Sequence, residues 1–510
     1  VWSYENYSAI AIQTSTLLAS ITRKGVALNR VFLRALAKAV PREALITRDE
    51  AMRPFETDGL TAKRELPGAV VLADSVELIQ RVLRLCKTHG VPVVARGAGT
   101  GLSGGARPIQ EGVLLSTSRM SRIIEIDADN RSARVEPGVT NLAVSEAARP
   151  HGLYYAPDPS SQLACSIGGN LAENAGGVHC LKYGLTVHNV TGLIFVTIDG
   201  EVIELGGARL ESPGYDLLAL LHGSEGMLGV IVEARLRLLP KPPHKCVLLA
   251  GFPEIGAAAR AVNRIIASGV IPAGLEMMDK LAIHAAEDFS RAGYPLDVEA
   301  ILLVELDGAR EEVAEVQRKV KELLVAEGAA RLTTATEPEA MQRLWRGRKA
   351  AFPAMGKLAP DYYCMDGTIP RGQLEQVLTR IQVLSKQYGL QVANVFHAGD
   401  GNLHPLILYD AARDRDLEKA EALGGEILEA CIKAGGTITG EHGVGVEKLD
   451  QMCTQFSAAE IAQFHALKKA FDPHGLLNPG KAVPTLARCS ELGGMHVHGG
   501  RLPHPELDRL

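Results

Sequence analysis

Long apolar runs are missing from this sequence. Nowhere do roughly 18 apolar residues follow one another, so no transmembrane helix is expected. A dominant charge is missing as well. Lys plus Arg total 54 and Asp plus Glu total 59, a net charge of −5. That balance leaves no electrostatic footprint for nucleic acid or an anionic membrane. Closely spaced thiols are absent: Cys86, Cys165, Cys180, Cys246, Cys364, Cys431, Cys453 and Cys489 contain no Cys-x-x-Cys pair. Scattered cysteines of this kind read as reduced, cytosolic thiols and not as a disulfide framework. They also argue against an iron–sulfur cluster within the chain. The H-E-x-x-H spacing of a zinc hydrolase does not occur either. The mildly apolar stretch 8–21 makes a poor signal peptide, because Glu5 precedes it while Arg23 and Lys24 follow it. The first ~20 residues read as a frayed terminus or a start-site artefact.

At 510 residues the chain is too long for one hydrophobic core, and about three units are expected. Helices and a loop are expected before residue 65. From Gly68 strands and helices alternate. "GAVVLADS" reads as a strand, "SVELIQRVLRLCKTHG" as an amphipathic helix capped by Gly90, and "VPVVARG" as a second strand. The prolines of "LPKPPHK" (239–245) mark a linker that cannot pair in a sheet. Beyond it, "CVLLAGF" and "AILLVELDG" read as strands, and "EIGAAARAVNRIIASG" and "EEVAEVQRKVKELLVAEG" as helices. The pattern predicts an α+β protein. Its parts are an N-terminal extension (1–50), a first domain (51–240), a second (241–440) and a C-terminal segment with a tail (441–510).

Glycine is abundant, and its placement is informative. In "RGAGTGLSGG", Gly99, Gly101 and Gly104 satisfy G-x-G-x-x-G by letter. Without Cβ atoms such a loop lets backbone N–H groups close on a phosphate. A dinucleotide turn also needs a helix directly after the loop and an acid ending the next strand. Here Pro108 comes four residues after Gly104, and "GVLLSTSRM" already reads as a strand. NAD is therefore disfavoured. Two further runs of small residues follow, "PDPSSQLACSIGGNLAENAGG" and "GSEGMLGVI".

These three segments in this order, with "YGLTVHNV" between the last two, resemble the FAD-binding domain of the vanillyl-alcohol-oxidase (PCMH-type) flavoproteins. The resemblance runs from about residue 50 to the C-terminus. "FHAGDGNLHP", "TGEHGVG" and "GLLNPGK" are similar to the branch holding D-lactate dehydrogenases, D-2-hydroxyglutarate dehydrogenases and glycolate oxidases. Within that branch, "CMDGTIPR" and "GGMHVHGG" resemble the catalytic subunits of glycolate oxidases. The fold so implied is a two-subdomain FAD-binding domain, a cap domain built as an α/β sandwich on an antiparallel sheet, and a C-terminal helical segment returning to the FAD domain. The implied FAD contacts fall on Gly97, Gly99, Thr100, Gly101, Ser103 and Gly104, and on Pro157, Asp158, Ser161, Ser166, Gly168, Gly169, Asn170 and Asn174. Glu225, Gly229 and Val230 complete them. His179 carries no mark of an attachment site, so the FAD is expected to be non-covalent.

In "VANVFHAGDGNLHPLILY" two apolar runs flank Asp400-Gly401, a turn former, so the segment reads as a hairpin. A hairpin can bring His397 and His404 within reach of one metal, while the same residues could equally be core histidines. Glu441, flanked by glycine in "TGEHGVG", is the candidate third ligand, and the resemblance supports the trio as a divalent metal site. Zinc, manganese and iron all suit it. His442, pointing away from Glu441 if the backbone is extended there, would be the general base by the family's pattern. Arg348 is the candidate carboxylate clamp, its alternative being a solvated helix face. Leu406 and Cys364 are expected near the substrate.

The implied reaction is FAD-dependent oxidation of a small 2-hydroxy acid, glycolate to glyoxylate, with D-lactate as the alternative substrate. A non-catalytic flavin electron-transfer subunit is a further reading. The resemblance implies a complex with an iron–sulfur subunit and a second flavin subunit, cytoplasmic or peripheral to the inner membrane through those partners. The tail bearing His496, His498 and His504 could dock them or could be disordered.

Overall fold

The α/β rhythm read from the sequence closes into three sheets and one two-stranded ladder. The structure is a computed structural model and describes residues 28–208, 214–485 and 489. The apolar stretch 8–21 and the tail histidines lie outside the described residues. Among the described residues no helix is long and apolar enough to cross a membrane.

The first sheet has four strands, ordered Leu45–Ile46, Ala69–Leu72, Val113–Ser116, Val93–Arg96. Val93–Arg96 and Val113–Ser116 pair in parallel although no helix lies between them. The glycine loop alone makes the return. Helix Val76–His89 ends at Gly90, whose φ of 65° is the left-handed C-cap. Its buried face, with Leu78, Ile79, Val82 and Leu83, packs on this sheet together with Phe32 and Leu36. A second, five-stranded sheet is wholly antiparallel and includes Val190–Val196 and Val230–Arg237.

The linker expectation needs correcting. Leu239 and Pro240 pair with Tyr154 and Leu153 in a short antiparallel ladder, and a long strand starts at His244. Proline is tolerated because this ladder has only two strands, both of them edges.

The third sheet has nine strands, and its alternation sets up everything that follows. In strand His244–Phe252, Leu248, Ala250 and Phe252 enter one core while Val247 and Leu249 enter another. Strand Ala300–Gly308 divides in the same way: Leu302, Val304 and Leu306 against Ile301 and Leu303. Period-two burial on both faces means helices on both faces. Helices Ile255–Ala267, Arg310–Ala326, Leu374–Tyr388 and Asp416–Lys433 cover the first face, and Lys280–Ser290 and Pro338–Ala354 the second.

The chain then comes back to its beginning. Leu477 bridges Val93 in parallel, and the Asn478 N–H donates to the Val93 carbonyl at 2.7 Å. The Asn478 amide nitrogen also donates to the carbonyls of Gly105 and Glu225, and the Lys481 ammonium, 1% exposed, donates to Gly105.

One cysteine expectation fails. Cys453 and Cys489 are joined in a disulfide with Cα atoms 5.2 Å apart, while the other six cysteines are free. Local spacing could not reveal the pair, because its members lie 36 positions apart in the sequence. The return past Lys481 brings them together.

Candidate active site

The glycine loop and the second small-residue segment enclose one cavity of about 340 Å³. Gly97, Gly99, Thr100 and Gly101 form one wall, and Ser161, Ser166, Gly169 and Asn170 another. Ser166 caps the helix Ile167–Glu173 by accepting from the Gly169 N–H. A smaller cavity adjoins it, lined by Gly168, Glu225, Gly229 and Val230, and shares Gly97 and Gly169 as walls. The pair forms a cradle that Cβ atoms would fill. A Cβ on Gly97, for instance, would collide with the Ser166 hydroxyl oxygen. Glu173, on both cavities, has a buried carboxylate oxygen without a hydrogen-bond partner.

Five expected FAD contacts do not line either cavity. Ser103 and Gly104 pack against the C-terminal segment, with the Ser103 carbonyl accepting from the Val446 and Glu447 N–H groups. The Pro157 carbonyl accepts from the Asn141 side chain. Asn174 is a left-handed C-cap whose side-chain oxygen accepts from the Val187 N–H. Asp158 pairs with His179 Nδ1 at 2.8 Å, while His179 Nε2 lies 3.2 Å from Glu305. Both ring nitrogens of His179 are therefore committed. Burial alone would lower its pKa, but the two carboxylates outweigh that and push it up to about 10.

The opposite wall of the large cavity comes from the nine-stranded sheet and its helices. Val392–His397 and Pro405–Tyr409 form the expected hairpin, with Asn394 opposite Pro405 and Val392 opposite Ile407. His397 pairs with Asn402 and not with His404, yet the two imidazole centroids are 5.0 Å apart. Glu441 Oε1 lies 3.2 Å from the Nε2 atoms of both His397 and His404. Ligand atoms of His397, His404 and Glu441 all fall within 4.8 Å of one another. His404 Nε2 is buried without a hydrogen-bond partner, as a nitrogen meant for a metal would be.

A second group, Asp366 with His404 and His442, is equally compact but differently employed. Asp366 accepts from the Thr439 hydroxyl, from the Gly440 and His442 N–H groups, and from the Lys448 ammonium. Its lone pairs are taken up in organising the loop. This also corrects the expected orientation of His442. The backbone at 440–442 turns around Asp366 and is not extended, so His442 lines the same cavity as Glu441, with Nε2 3.8 Å from Glu441 Oε1. His442 stacks on His404 at 4.8 Å.

Carboxylates and imidazoles in the cluster favour one another's charged forms against burial. Burial would raise the Glu441 pKa, but His397 and His404 hold it well below the usual range. Burial would lower the His397 pKa, but Glu276 and Glu441 raise it well above. Burial wins only at His442, taking its imidazole down to about 4 and leaving it neutral.

Arg348 is 2% exposed, so the solvated-face alternative is excluded. It does not line the cavity: its Nε donates to Glu276 Oε2 at 2.8 Å, and its Nη2 lies 2.7 Å from the same oxygen. Lys349 and Phe352, from the same helix, do line it. Leu406 and Cys364 are cross-strand partners inside the second core and stay off the cavity. Sequence reasoning missed Glu276, Asp366, Glu173, Lys349 and Phe352. For Glu276 a signal existed, since it is a lone charge in the apolar run "GLEMM".

Residues 67–206 match the family described as FAD binding domain, and residues 241–482 the family described as FAD linked oxidases, C-terminal domain. Glycolate oxidase subunit GlcD of Escherichia coli strain K12 is 58% identical over 94% of this chain and 96% of its own length. The chain belongs to the FAD-linked oxidases. Within that family, the D-lactate dehydrogenase of Archaeoglobus fulgidus is 36% identical over 86% of this chain and 96% of its own. p-Cresol methylhydroxylase with substrate bound has a TM-score of 0.75 at 19% identity, over 90% of this chain and 98% of that one. Its fold is the PCMH-type fold expected from the glycine segments. The glycine-lined cradle of this FAD-linked oxidase fits the cofactor that its family is named for.

Proposed function

We propose that the chain oxidises glycolate to glyoxylate, using FAD held in the glycine cradle and a divalent metal held by His397, His404 and Glu441. One observation carries the reading: His404, Glu441 and His442 line the same cavity as Gly97, Gly99 and Thr100. A substrate there would lie between the flavin wall and the metal wall. The name and 58% identity of the Escherichia coli relative support glycolate as the acid.

Bound FAD supplies a hydride acceptor, and the metal a positive charge for the hydroxyl and carboxylate oxygens of the acid. The chain's own residues supply the rest. Oxidation removes a hydride from C2 and a proton from the hydroxyl, leaving a carbonyl. His442 is neutral and lines the cavity, so it takes that proton. Lys349 is the one Lys or Arg among the described residues lining the cavity, and it draws the anionic substrate in. Phe352 packs edge-on against His404 at 6.3 Å and limits the room beyond C2. Arg348 Nε and Nη2 face Glu276 and not the cavity.

The relative is named a subunit, which supports a place in a larger assembly. The family resemblance supports an onward electron path through an iron–sulfur subunit and a second flavin subunit, with a quinone as the alternative acceptor. The test is an anaerobic flavin absorbance spectrum before and after adding glycolate, D-lactate or D-2-hydroxyglutarate. Glycolate should bleach it fastest. Faster bleaching by D-lactate would favour the activity named for the Archaeoglobus relative. No bleaching by any acid, with metal and flavin both bound, would remove the dehydrogenase reading.

A further inference from the structure

Glu276 sits in strand Gly274–Asp279 directly opposite His397 on Val392–His397. Its neighbours Leu275 and Met277 enter the first core of the nine-stranded sheet, and Met278 enters the second. Alternation therefore sends Glu276 to the second face, where helix Pro338–Ala354 brings Arg348. On the partner strand, Ala393 and Val395 point to that face, and His397 with them.

We propose that Glu276 is a positioning residue for the metal centre, fixing His397 with Nε2 turned toward the ion while Arg348 fixes Glu276. The inference rests on the metal reading above. His397 Nδ1 lies 2.7 Å from Glu276 Oε1, so Nδ1–H donates to that carboxylate and Nε2 is the nitrogen turned toward the cluster. Glu276 Oε2 accepts from Arg348 Nε and lies 2.7 Å from its Nη2. Glu276, Arg348 and His397 are 1%, 2% and 4% exposed. A carboxylate so deep must be paired, and pairing on both oxygens leaves it one orientation. Carboxylate partners of metal-bound histidines typically contribute ten- to a hundred-fold in metal affinity.

The experiment uses the full-length, FAD-loaded protein stripped of metal with a chelator. Mn²⁺ is titrated in, and the free ion is read by its paramagnetic resonance signal, while thermal melts check the fold. Wild type should bind one Mn²⁺ per chain and His404→Ala none. Glu276→Gln keeps one acceptor oxygen, for which His397 Nδ1 and Arg348 compete, and should lose no more affinity than the apolar double variant below. Removing Glu276 alone could strand the Arg348 charge, so the apolar test is the double variant Glu276→Leu/Arg348→Met. It should lose about ten- to a hundred-fold in affinity and still bind FAD. A folded double variant with wild-type Mn²⁺ affinity overturns the inference. If wild type binds no Mn²⁺, or His404→Ala binds it normally, the metal centre falls and this inference with it.

Discussion

At the scale of single residues, burial decides which histidine can act as a base. His397 and His442 lie within one cluster yet shift in opposite directions. Two carboxylates face His397, at 2.7 and 3.2 Å, and raise its pKa. The nearest carboxylate oxygen of Glu441 is 3.8 Å from His442, and Nδ1 of His442 has no hydrogen-bond partner. His442 is thus held neutral with a ring nitrogen unengaged, while His397 is held by carboxylates on both sides. His442→Ala should lower kcat by about 10²–10⁴-fold, the usual worth of a general base, and leave Mn²⁺ affinity unchanged. Stopped-flow flavin reduction with a parallel metal titration measures both. An unchanged reduction rate would show that the proton leaves by another route.

At the scale of elements, much of the site was legible because its parts are local. The glycine loop, the Asp400-Gly401 hairpin and the glycine-flanked Glu441 each declare themselves within a dozen residues. What stayed hidden is long-range. Glu276 reaches His397 across 121 positions, and Asp366 organises a loop 73 to 76 residues away. No periodicity encodes such pairings; sheet register does. Asp158 and Asn174 belong to the second small-residue segment but do not line the cavity, since a motif names residues and not directions. Two substitutions probe these elements. Gly97→Ala pushes a methyl group into Ser166, the cap of the facing helix, and overpacking typically costs about 1–3 kcal/mol. Charged against cofactor binding, that is roughly ten- to a hundred-fold in FAD dissociation constant, read by flavin fluorescence. Asp366→Ala strands Lys448, which is 0% exposed, and should cost about 3–5 kcal/mol in denaturant unfolding. A loss below about 1 kcal/mol would mean that the loop at 439–442 is held by something else.

At the scale of the whole molecule, the glycine cradle and the wall bearing His404, Glu441 and His442 come from different parts of the chain, so their separation depends on the seam between them. His179 is central to that seam. It joins Asp158 of the flavin-side segment to Glu305 of the nine-stranded sheet, and Lys245 and Trp345 bond the same Glu305 carboxylate. Beside it, Lys182 and Tyr183 both donate to Asp307. The His179 pKa is raised from 6.5 to about 10 by its two carboxylate partners, against the effect of burial. Below pH 6.5 folded and unfolded chains both carry the proton, and the stabilisation is fully present. Between 6.5 and about 10 the folded chain holds a proton that the unfolded chain has released, so stability falls as pH rises. Above about 10 the contribution is gone. Other groups titrate in the same window, so the informative quantity is the difference between wild type and His179→Gln. That difference should shrink with rising pH, by at most about 1.4 kcal/mol per pH unit. Denaturant unfolding at pH 6, 8 and 10, roughly spanning the window between the two states' pKa values, measures it. A difference independent of pH would show that His179 joins the seam as a neutral ring, and that the seam is held by Lys245, Lys182 and packing instead.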